Sequence, residues 1–467
     1  MTCPCPDASP RAAGLRRLTV VMLAVGVMAS ALVVGQSTSP RPVGDPPAKW
    51  WKGNLHTHSL WSDGDQYPEL IALWYKEHGY QFLALSDHNV LSRGQKWVNA
   101  SKNKGGPTAL DKYRERFGAS WVEEREGKAP PPKADEKAAE KAEKGEAAGP
   151  LREVRLKPIG EFRALVEEAD RFLMLQGEEI SDKLGKLPVH LCVTNLHDVI
   201  PPQGGATISE LIANNVRAVR AQREQTGQPM FAHLNHPNWN FGVTAEDLAP
   251  VEDERFFEVY NGHRGVKNEG DAQHADTERL WDIILTLRLG ELGLGPIYGV
   301  ATDDSHEYHG AAEKVVASPG RGWVVVRARR LTPESLITAM EAGDFYASNG
   351  VELTDIRQVD GKLAIDIVPQ PGVTYKTQFI GTRKGYDSKS EPVLDDKQQP
   401  LPVTRRYSAD VGQVLAEVEG ANPSYTLKGD ELYVRAKVVS SKPKENYYRK
   451  GEFEMAWVQP IVLKGKE

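Results

Sequence analysis

The chain has 467 residues, which is more than one small domain needs and suits a large α/β domain with a smaller module. Its 58 Lys and Arg against 64 Asp and Glu give a formal net charge of −6, so it offers no basic field for a phosphate backbone. We therefore expect no nucleic-acid partner.

Residues 1–35 have the pattern of a secretory signal peptide. Arg11, Arg16 and Arg17 precede the apolar run "LTVVMLAVGVMASALVVG", which ends in small residues. We therefore expect an exported protein, periplasmic or extracellular, with no stable membrane span after cleavage. The run is close to the shortest length that can span a bilayer, so an uncleaved membrane anchor is the alternative.

Residues 36–49 are rich in Ser, Pro and Gly and are typical of a linker. The segment "PELIALWYKEH" has helical apolar spacing with Pro in its first turn and Gly79 just beyond its end. The following "YQFLALSDH" is typical of a short buried strand. Strand, helix and strand with polar residues at the strand ends indicate an α/β barrel or an open parallel sheet.

Residues 122–150 consist largely of Ala, Lys, Glu and Pro without apolar periodicity. This composition predicts a disordered charged insertion, with a partner-binding helix as the alternative. Folded patterns resume in "FRALVEEADRFLMLQGEEIS". The next segments predict helix, strand, helix and strand in turn, in "TISELIANNVRAVRAQREQTG", "PMFAHLNHP", "TERLWDIILTLR" and "IYGVATDDSH".

Residues 350–467 have a different character. Segments such as "KLAIDIVP" and "ELYVRAKVVS" alternate apolar and polar residues between turn-rich links, which predicts a β-rich, sandwich-like module. This region contains no histidine, so a site built on His belongs to residues 50–349. After signal removal Cys192 is the one remaining cysteine, and we expect it to be a small buried core residue.

Five clusters of potential metal ligands follow or end apolar runs in residues 50–349. In a strand, residues i and i+2 point to the same side, so two side chains of one cluster can converge on one centre. Each cluster alone has a structural explanation, such as a hydrogen-bonded core pair or a helix cap, but buried charges at successive strand ends are costly unless paired or coordinated. Imidazole and carboxylate suit Zn, Mn or Fe, and there are too many candidates for one tetrahedral ion. The clusters are His56, His58 and Asp63; Asp87 and His88; Glu178, Glu179 and His190; His233 and His236; and Asp303, Asp304 and His306.

The ordered motifs "HTHSLWSDG", "SDHN", "GEE", "NHP" and "DDSH" resemble those of the polymerase-and-histidinol-phosphatase (PHP) superfamily of metallohydrolases. The resemblance covers roughly residues 50–345. The later segments "FFEVYNGH", "ERLWD" and "GDFYASNG" look most like the carbaryl-hydrolase-like branch. The resemblance implies a distorted (β/α)7 barrel with a trinuclear metal site at the C-terminal ends of its strands.

The resemblance also implies a ligand set for three divalent ions. The ligands are His56, His58, Glu179 and Asp304 for the first ion; Glu179 as a bridge, with His190 and His236, for the second; and Asp63, His88 and His306 for the third. Glu179 is preferred to Glu178 because the family spaces its glutamate two residues after Gly177. Asp304 is preferred as the first residue of the D-x-H pair, and His236 because Pro237 follows it.

The implied chemistry is hydrolysis by a metal-activated hydroxide, without a covalent enzyme intermediate. Asp63, Asp87 or a metal-bound water could donate a proton to the leaving group, although Asp87 could instead orient a ligand histidine. Asn261, His263 and Arg264 could line the mouth of the site and neutralise substrate charge, or form a structural turn.

We expect a phosphoesterase acting on small phosphate esters. A carboxylic or carbamic ester hydrolase is the main alternative, and a non-catalytic binding protein is a third. The sequence leaves the substrate and the oligomeric state open.

Overall fold

A computed structural model describes residues 46–127, 151–310 and 314–463. The predicted signal peptide and nearly all of the predicted insertion lie outside these residues. Many strands of the first part are short and apolar and are buried, as expected where both faces of a sheet are covered. These strands are β1 (Lys49–Asn54), β2 (Phe82–Leu85), β3 (Lys96–Asn99), β4 (Glu124–Glu126), β5 (Arg152–Leu156), β6 (Leu173–Leu184), β7 (Leu187–Thr194), β8 (Phe231–Leu234), β9 (Phe256–Asn261), β10 (Tyr298–Thr302), β11 (Trp323–Ala328) and β12 (Phe345–Ser348).

The described α-helices are α1 (Pro68–Glu77), α2 (Gly106–Phe117), α3 (Ile159–Val166), α4 (Ile208–Thr226), α5 (Ala245–Leu248), α6 (Thr277–Thr286) and α7 (Pro333–Glu341), and a π-helical turn, Leu287–Glu291, follows α6. The sequence-based predictions of α1, α4 and α6 are confirmed. In α4 the Thr207 side chain accepts a hydrogen bond from the Glu210 amide, and Gly227 ends the helix at φ 69°. The helix α3 ends at Val166, and the rest of that predicted segment enters β6.

The region after residue 350 consists of strands in its described part. They are β13 (Leu353–Val359), β14 (Lys362–Ile367), β15 (Tyr375–Arg383), β16 (Ser390–Glu391), β17 (Arg406–Tyr407), β18 (Gln413–Glu419), β19 (Ser424–Thr426), β20 (Glu431–Pro443) and β21 (Phe453–Val462).

The largest sheet has 13 strands in the order β10-β9-β8-β7-β6-β2-β1-β11-β12-β21-β20-β15-β18. The pairs β1–β2, β2–β6, β8–β9 and β9–β10 are parallel, whereas β6–β7 and β7–β8 are antiparallel. Within the described residues no ladder joins β10 to β1, so the closed seven-stranded barrel implied by the resemblance is not seen. A single parallel bridge between Thr57 and Ser305 brings the ends of these two strands together.

The large sheet continues across residue 350, because β12 pairs with β21. Residues from Pro46 onward form one compact unit. Asp282 on α6 and Arg435 on β20 add a buried ion pair, with Oδ2 and Nη2 2.7 Å apart. The predicted division at residue 350 stays a prediction. No helix in the described part of the chain is both long and apolar enough to cross a membrane.

Candidate metal centre

His56 and His58 meet Asp304 in a fully buried cluster just beyond the end of β1. The two Nε2 atoms lie 3.0 Å apart, and each is 3.2 Å from Oδ1 of Asp304. The convergence of His56 and His58 follows from their i, i+2 spacing in extended chain. Asp304 reaches the cluster differently, because β10 ends at Thr302 and the backbone of Asp304 is left-handed at φ 49°.

Glu179 lies between two groups of histidines. Its Oε1 is 3.0 Å from Nδ1 of His190 and 3.3 Å from Nε2 of His236. Its Oε2 is 2.6 Å from Nδ1 of His88 and 3.6 Å from Nε2 of His58. The two oxygens therefore face different sets of nitrogen atoms, an arrangement suited to a carboxylate that bridges two ions.

Asp63 lies at the exposed side of the centre, with 56% of its side chain accessible. Its Oδ1 is 3.3 Å from Nε2 of His306, 3.5 Å from Nε2 of His88 and 3.8 Å from Nδ1 of His58. These four side chains form one group of potential ligands. His58 thus lies between two groups, with Nε2 toward Asp304 and Nδ1 toward Asp63, although the sequence assigned it to one ion.

The charges in the centre are set by burial and by proximity. Burial lowers the pKa of His58 to about 3, and the neighbouring His306 and His88 act in the same direction. Burial would raise the pKa of Asp304, but the nearby histidines, led by His56, hold it well below its usual range. Burial would likewise raise the pKa of Glu179, but the nearby histidines, led by His88, hold it well below its usual range. Both carboxylates are therefore ionised near neutral pH.

The geometry bears on the choice of Glu179 over Glu178 and of Asp304 over Asp303 as metal ligands. Glu178 accepts a hydrogen bond from the Ile200 amide at 2.6 Å and does not belong to the groups of potential ligands. Asp303 accepts hydrogen bonds from the amides of Gly320, Arg321 and Gly322, so it fixes a loop. These placements agree with the preference for Glu179 and Asp304; their role as ligands stays a prediction.

His233 does not belong to the groups of potential ligands around Glu179, Asp304 and Asp63, but forms a separate group with His56 and Cys192. Its side chain is fully buried, and its Nε2 is 3.6 Å from Oε1 of Glu258. It also lies close to Cys192, which accepts a hydrogen bond to sulfur from Nδ2 of Asn235 at 3.2 Å. Cys192 is buried, as predicted. His236 is the histidine of this pair that faces Glu179.

The sequence-based reasoning missed Glu258, a fully buried carboxylate on β9. Its Oε1 accepts hydrogen bonds from Nδ1 of His56 at 2.7 Å and from Oγ1 of Thr302 at 2.6 Å. Its Oε2 accepts from the amide of His236 and from Nδ2 of Asn261, both at 2.7 Å. Glu258 therefore connects four strand-end segments. One acidic residue inside the apolar "FFEVYN" was the signal that could have revealed it.

Asp87 is positioned to shape the loop after His58. It accepts hydrogen bonds from the amide and hydroxyl of Ser59, both at 2.8 Å, and from the hydroxyl of Ser62 at 2.6 Å. These bonds go to serines rather than to a histidine ring. Asp87 therefore shapes the loop that carries Asp63, and its role as proton donor or as partner of a ligand histidine stays a prediction.

A pocket of about 380 Å³ opens over the centre, within the usual range for small-molecule sites. Its wall includes Asp63, His88, Glu179, His190, His236, Asp304 and His306, together with Lys104, Trp239, His263, Val316 and Ala317. Lys104 and Trp239 were not predicted from the sequence.

His263 lines the pocket, whereas Arg264 does not. Burial lowers the pKa of His263 to about 4, so its ring is neutral near pH 7 and does not neutralise substrate charge as predicted. Its Nδ1 faces the amide of Gly265 at 3.0 Å, which leaves the ring proton on Nε2. The Arg264 guanidinium donates to the carbonyl of Tyr447 at 3.1 Å instead of lining the pocket, so this placement does not support its predicted role.

The donor set fits divalent cations. Since Glu258 holds the proton of His56 on Nδ1, the Nε2 lone pair faces the Asp304 carboxylate and His58. His306 is held in the same way, because its Nδ1 donates to the carbonyl of Asp304 at 2.9 Å and its Nε2 faces Asp63. Acceptor atoms that face one another in a buried site are favourable when a cation lies between them. Imidazole and carboxylate together suit Zn, Mn or Fe.

No family model and no curated protein matches the chain. One similar solved structure is a two-domain protein from Bacteroides vulgatus containing a predicted PHP-like metal-dependent phosphoesterase, with 12% identity, a TM-score of 0.36, and coverage of 89% of this chain and 97% of that chain. Another is a candidate metal-dependent phosphoesterase from Bifidobacterium adolescentis, with 14% identity, a TM-score of 0.27, and coverage of 59% and 94%. At such low identities and TM-scores, these likenesses decide neither fold nor function for this chain.

Proposed function

We propose that the chain is a metal-dependent hydrolase of the PHP superfamily that acts on small phosphate esters. The observation that carries the proposal is the position of Glu179, whose Oε1 faces His190 and His236 while its Oε2 faces His88 and His58. A buried carboxylate with histidine nitrogens on both sides suits a centre of more than one ion.

The residues that would hold the ions are His56, His58, Asp63, His88, Glu179, His190, His236, Asp304 and His306. Bound divalent ions would lower the pKa of water and polarise the ester oxygens. The protein's own contribution is to fix its ligands in place. Glu258 orients His56, and the hydrogen bonds that Asp87 accepts from Ser59 and Ser62 shape the turn before Asp63.

A cation on the pocket wall favours an anionic ester over a neutral one. Lys104 lines the pocket, as do Asp63 and Glu307, and Trp239 and Val316 add apolar surface for the alcohol part of a substrate. Ammonium groups are common partners of phosphate. His263, neutral near pH 7 with its proton on Nε2, is suited to donate a hydrogen bond to a substrate oxygen.

The proposal is tested by an ester screen. Protein stripped of metal is supplied with Mn, Zn or Fe and assayed with p-nitrophenyl phosphate, bis(p-nitrophenyl) phosphate, naphthyl acetate and a naphthyl carbamate. We expect metal-dependent release from a phosphate ester. Release from the naphthyl substrates without phosphate ester cleavage would reject the phosphoesterase and support the carboxylic or carbamic ester hydrolase. No turnover with any substrate and metal would support a non-catalytic protein.

We further propose that the enzyme is exported, on the basis of the charged and apolar pattern of residues 1–35. Sequencing the N-terminus of protein recovered from fractionated cells tests this. A start near residue 36 in the periplasmic or extracellular fraction is expected, whereas an intact N-terminus in the cytoplasmic fraction would contradict it.

A further inference from the structure

A hairpin tip from the C-terminal region lies against the pocket. The tip, residues 444–452, joins β20 and β21. It contacts two loops without regular secondary structure: the first rim loop, residues 262–270, which follows β9, and the second rim loop, residues 315–322, which precedes β11.

Two tyrosines of the hairpin tip contact the first rim loop. Tyr448 donates from its hydroxyl to the carbonyl of Val266 and is 2.7 Å from Oε2 of Glu269. Tyr447 accepts a hydrogen bond at its carbonyl from Arg264 at 3.1 Å, and the guanidinium lies 5.0 Å from the centre of its ring. The first rim loop is therefore held at both its beginning and its end.

Asn446 connects the hairpin tip to the second rim loop. Its Nδ2 donates to the carbonyl of Pro319 at 2.7 Å, and its Oδ1 accepts from Nε of Arg321 at 3.2 Å. Nζ of Lys444 donates to the carbonyl of Gly320 at 3.3 Å. The amide of Asn446 thus satisfies one acceptor and one donor of the same loop.

The second rim loop contacts both the hairpin tip and residues at the pocket. Arg321, which Asn446 holds, donates from Nη1 to the carbonyls of Gly262 at 2.9 Å and Val316 at 2.5 Å. The carbonyl of Ala317 accepts a hydrogen bond from the amide of His306 at 2.9 Å. The two rim loops are therefore linked to each other and to the backbone of His306, a residue of the candidate metal centre.

We propose that the hairpin tip positions the substrate pocket, with Asn446 and Tyr448 as positioning residues. They hold the rim loops so that His263 and Val316 stand at the pocket wall. Loops without regular secondary structure depend on such contacts for a single conformation. This inference rests on the proposed function, since it takes the pocket to be the active site. It gives the region after residue 350 a part in substrate binding rather than a separate binding role.

The test compares Asn446→Ala and Tyr448→Phe with the wild type in the full chain. Hydrogen exchange of the backbone amides in the two rim loops is measured together with metal content, kcat and KM. We expect exchange in the rim loops to become about fivefold faster for each variant, as for the loss of one ordinary hydrogen bond. We also expect a higher KM on the best ester of the screen, with unchanged metal content and a smaller change in kcat.

Tyr425→Phe is the matched control. Tyr425 is also a buried tyrosine of the C-terminal region whose hydroxyl donates to a glutamate, Glu431, at 2.7 Å, but it contacts neither rim loop. Exchange in the rim loops that matches the wild type in both test variants would overturn the proposal, as would an equal increase in the control. The exchange measurement needs no substrate. An inactive wild type would therefore reject the proposed function, while the exchange rates of the variants would still show whether the hairpin tip holds the rim loops.

Discussion

Nδ1 of His56 lies 2.7 Å from Oε1 of Glu258, and both side chains are fully buried. Burial would raise the pKa of this carboxyl, but His56 foremost, and His233 and His236 with it, hold it below its usual range. The ionised Glu258 accepts four hydrogen bonds. The one donated by Nδ1 of His56 keeps the ring proton on that nitrogen, so the Nε2 lone pair is directed at Asp304.

Glu258→Gln is expected to weaken metal binding by roughly 10–100-fold, because one of the two carboxylate oxygens becomes an NH₂ group that faces donors. Calorimetric titration of chelator-treated protein with Zn or Mn measures the affinity. Glu178→Gln is the control, since Glu178 is equally buried on β6 of the same sheet but accepts from the Ile200 amide. Equal losses in both variants would contradict the role of Glu258.

His236→Gln and His233→Gln separate the two histidines of "AHLNHP". The first removes a nitrogen 3.3 Å from Glu179, so we expect loss of bound metal by elemental analysis. The second changes a buried residue outside the groups that contain Glu179, Asp304 and Asp63, and is expected to retain most of the metal while lowering the stability of the fold. Circular dichroism checks that both variants are folded. Retention of metal by the first and loss by the second would reverse the assignment.

The local parts of this architecture were readable in the sequence. The helices α1 and α4 have their turn and cap residues where the chain needs them, and His56 and His58 share a side because the chain between them is extended. The strand rule that places residues i and i+2 on one side does not apply to Asp304, since its backbone is left-handed. The motif order, not the periodicity, identified it.

The non-local parts could not be read in this way. Glu258 has no histidine beside it in the chain, and three of its four donors, on His56, His236 and Thr302, come from segments distant in sequence. The pairing of β12 with β21 joins residues about a hundred positions apart, and local patterns carry no information on such pairing. The Arg264 guanidinium points to the carbonyl of Tyr447, and Tyr447 lies in the hairpin that the pairing of β12 with β21 places there.

Lys104→Gln is expected to raise KM for phosphate esters about fivefold with little change in kcat, as for the loss of one partly exposed charge contact. The effect should shrink at high salt because the contact is screened. Lys102→Gln is the control, since Lys102 lies two residues away and does not line the pocket. The same KM change in both variants, or none with Lys104→Gln, would contradict a contact between Lys104 and the phosphate.

Glu69→Gln tests a pH-dependent term in stability away from the pocket. Burial on α1 raises the pKa of Glu69 to about 7, although Tyr113 donates a hydrogen bond to it at 2.7 Å. The folded protein therefore holds this proton more tightly than the unfolded chain, so the carboxyl lowers the free energy of unfolding as pH rises from about 4.5 to 7.

Replacing Glu69 with Gln removes that loss. We expect a higher free energy of unfolding at pH 8, by up to ~3 kcal/mol, and a small difference at pH 5. Urea unfolding at the two pH values measures it. Glu77→Gln, on the exposed side of the same helix, should change neither value much. A difference between Glu69→Gln and the wild type that does not depend on pH would refute this explanation.

Residues 50–349 and 350–467 are expected to unfold together, because β12 and β21 are neighbours in one sheet and Asp282 pairs with Arg435 across them. Asp282→Asn removes the nearer of the two carboxylates that face the buried guanidinium, leaving Glu278 at 3.7 Å, and should cost about 3 kcal/mol. Asp253→Asn, in an exposed ion pair with Arg220, should cost less than ~1 kcal/mol. Hydrogen exchange in urea, followed in β2 and β15, should show both strands losing protection at one midpoint, which Asp282→Asn lowers equally in each. Two separated midpoints, with only one shifted, would instead support independent domains divided near residue 350.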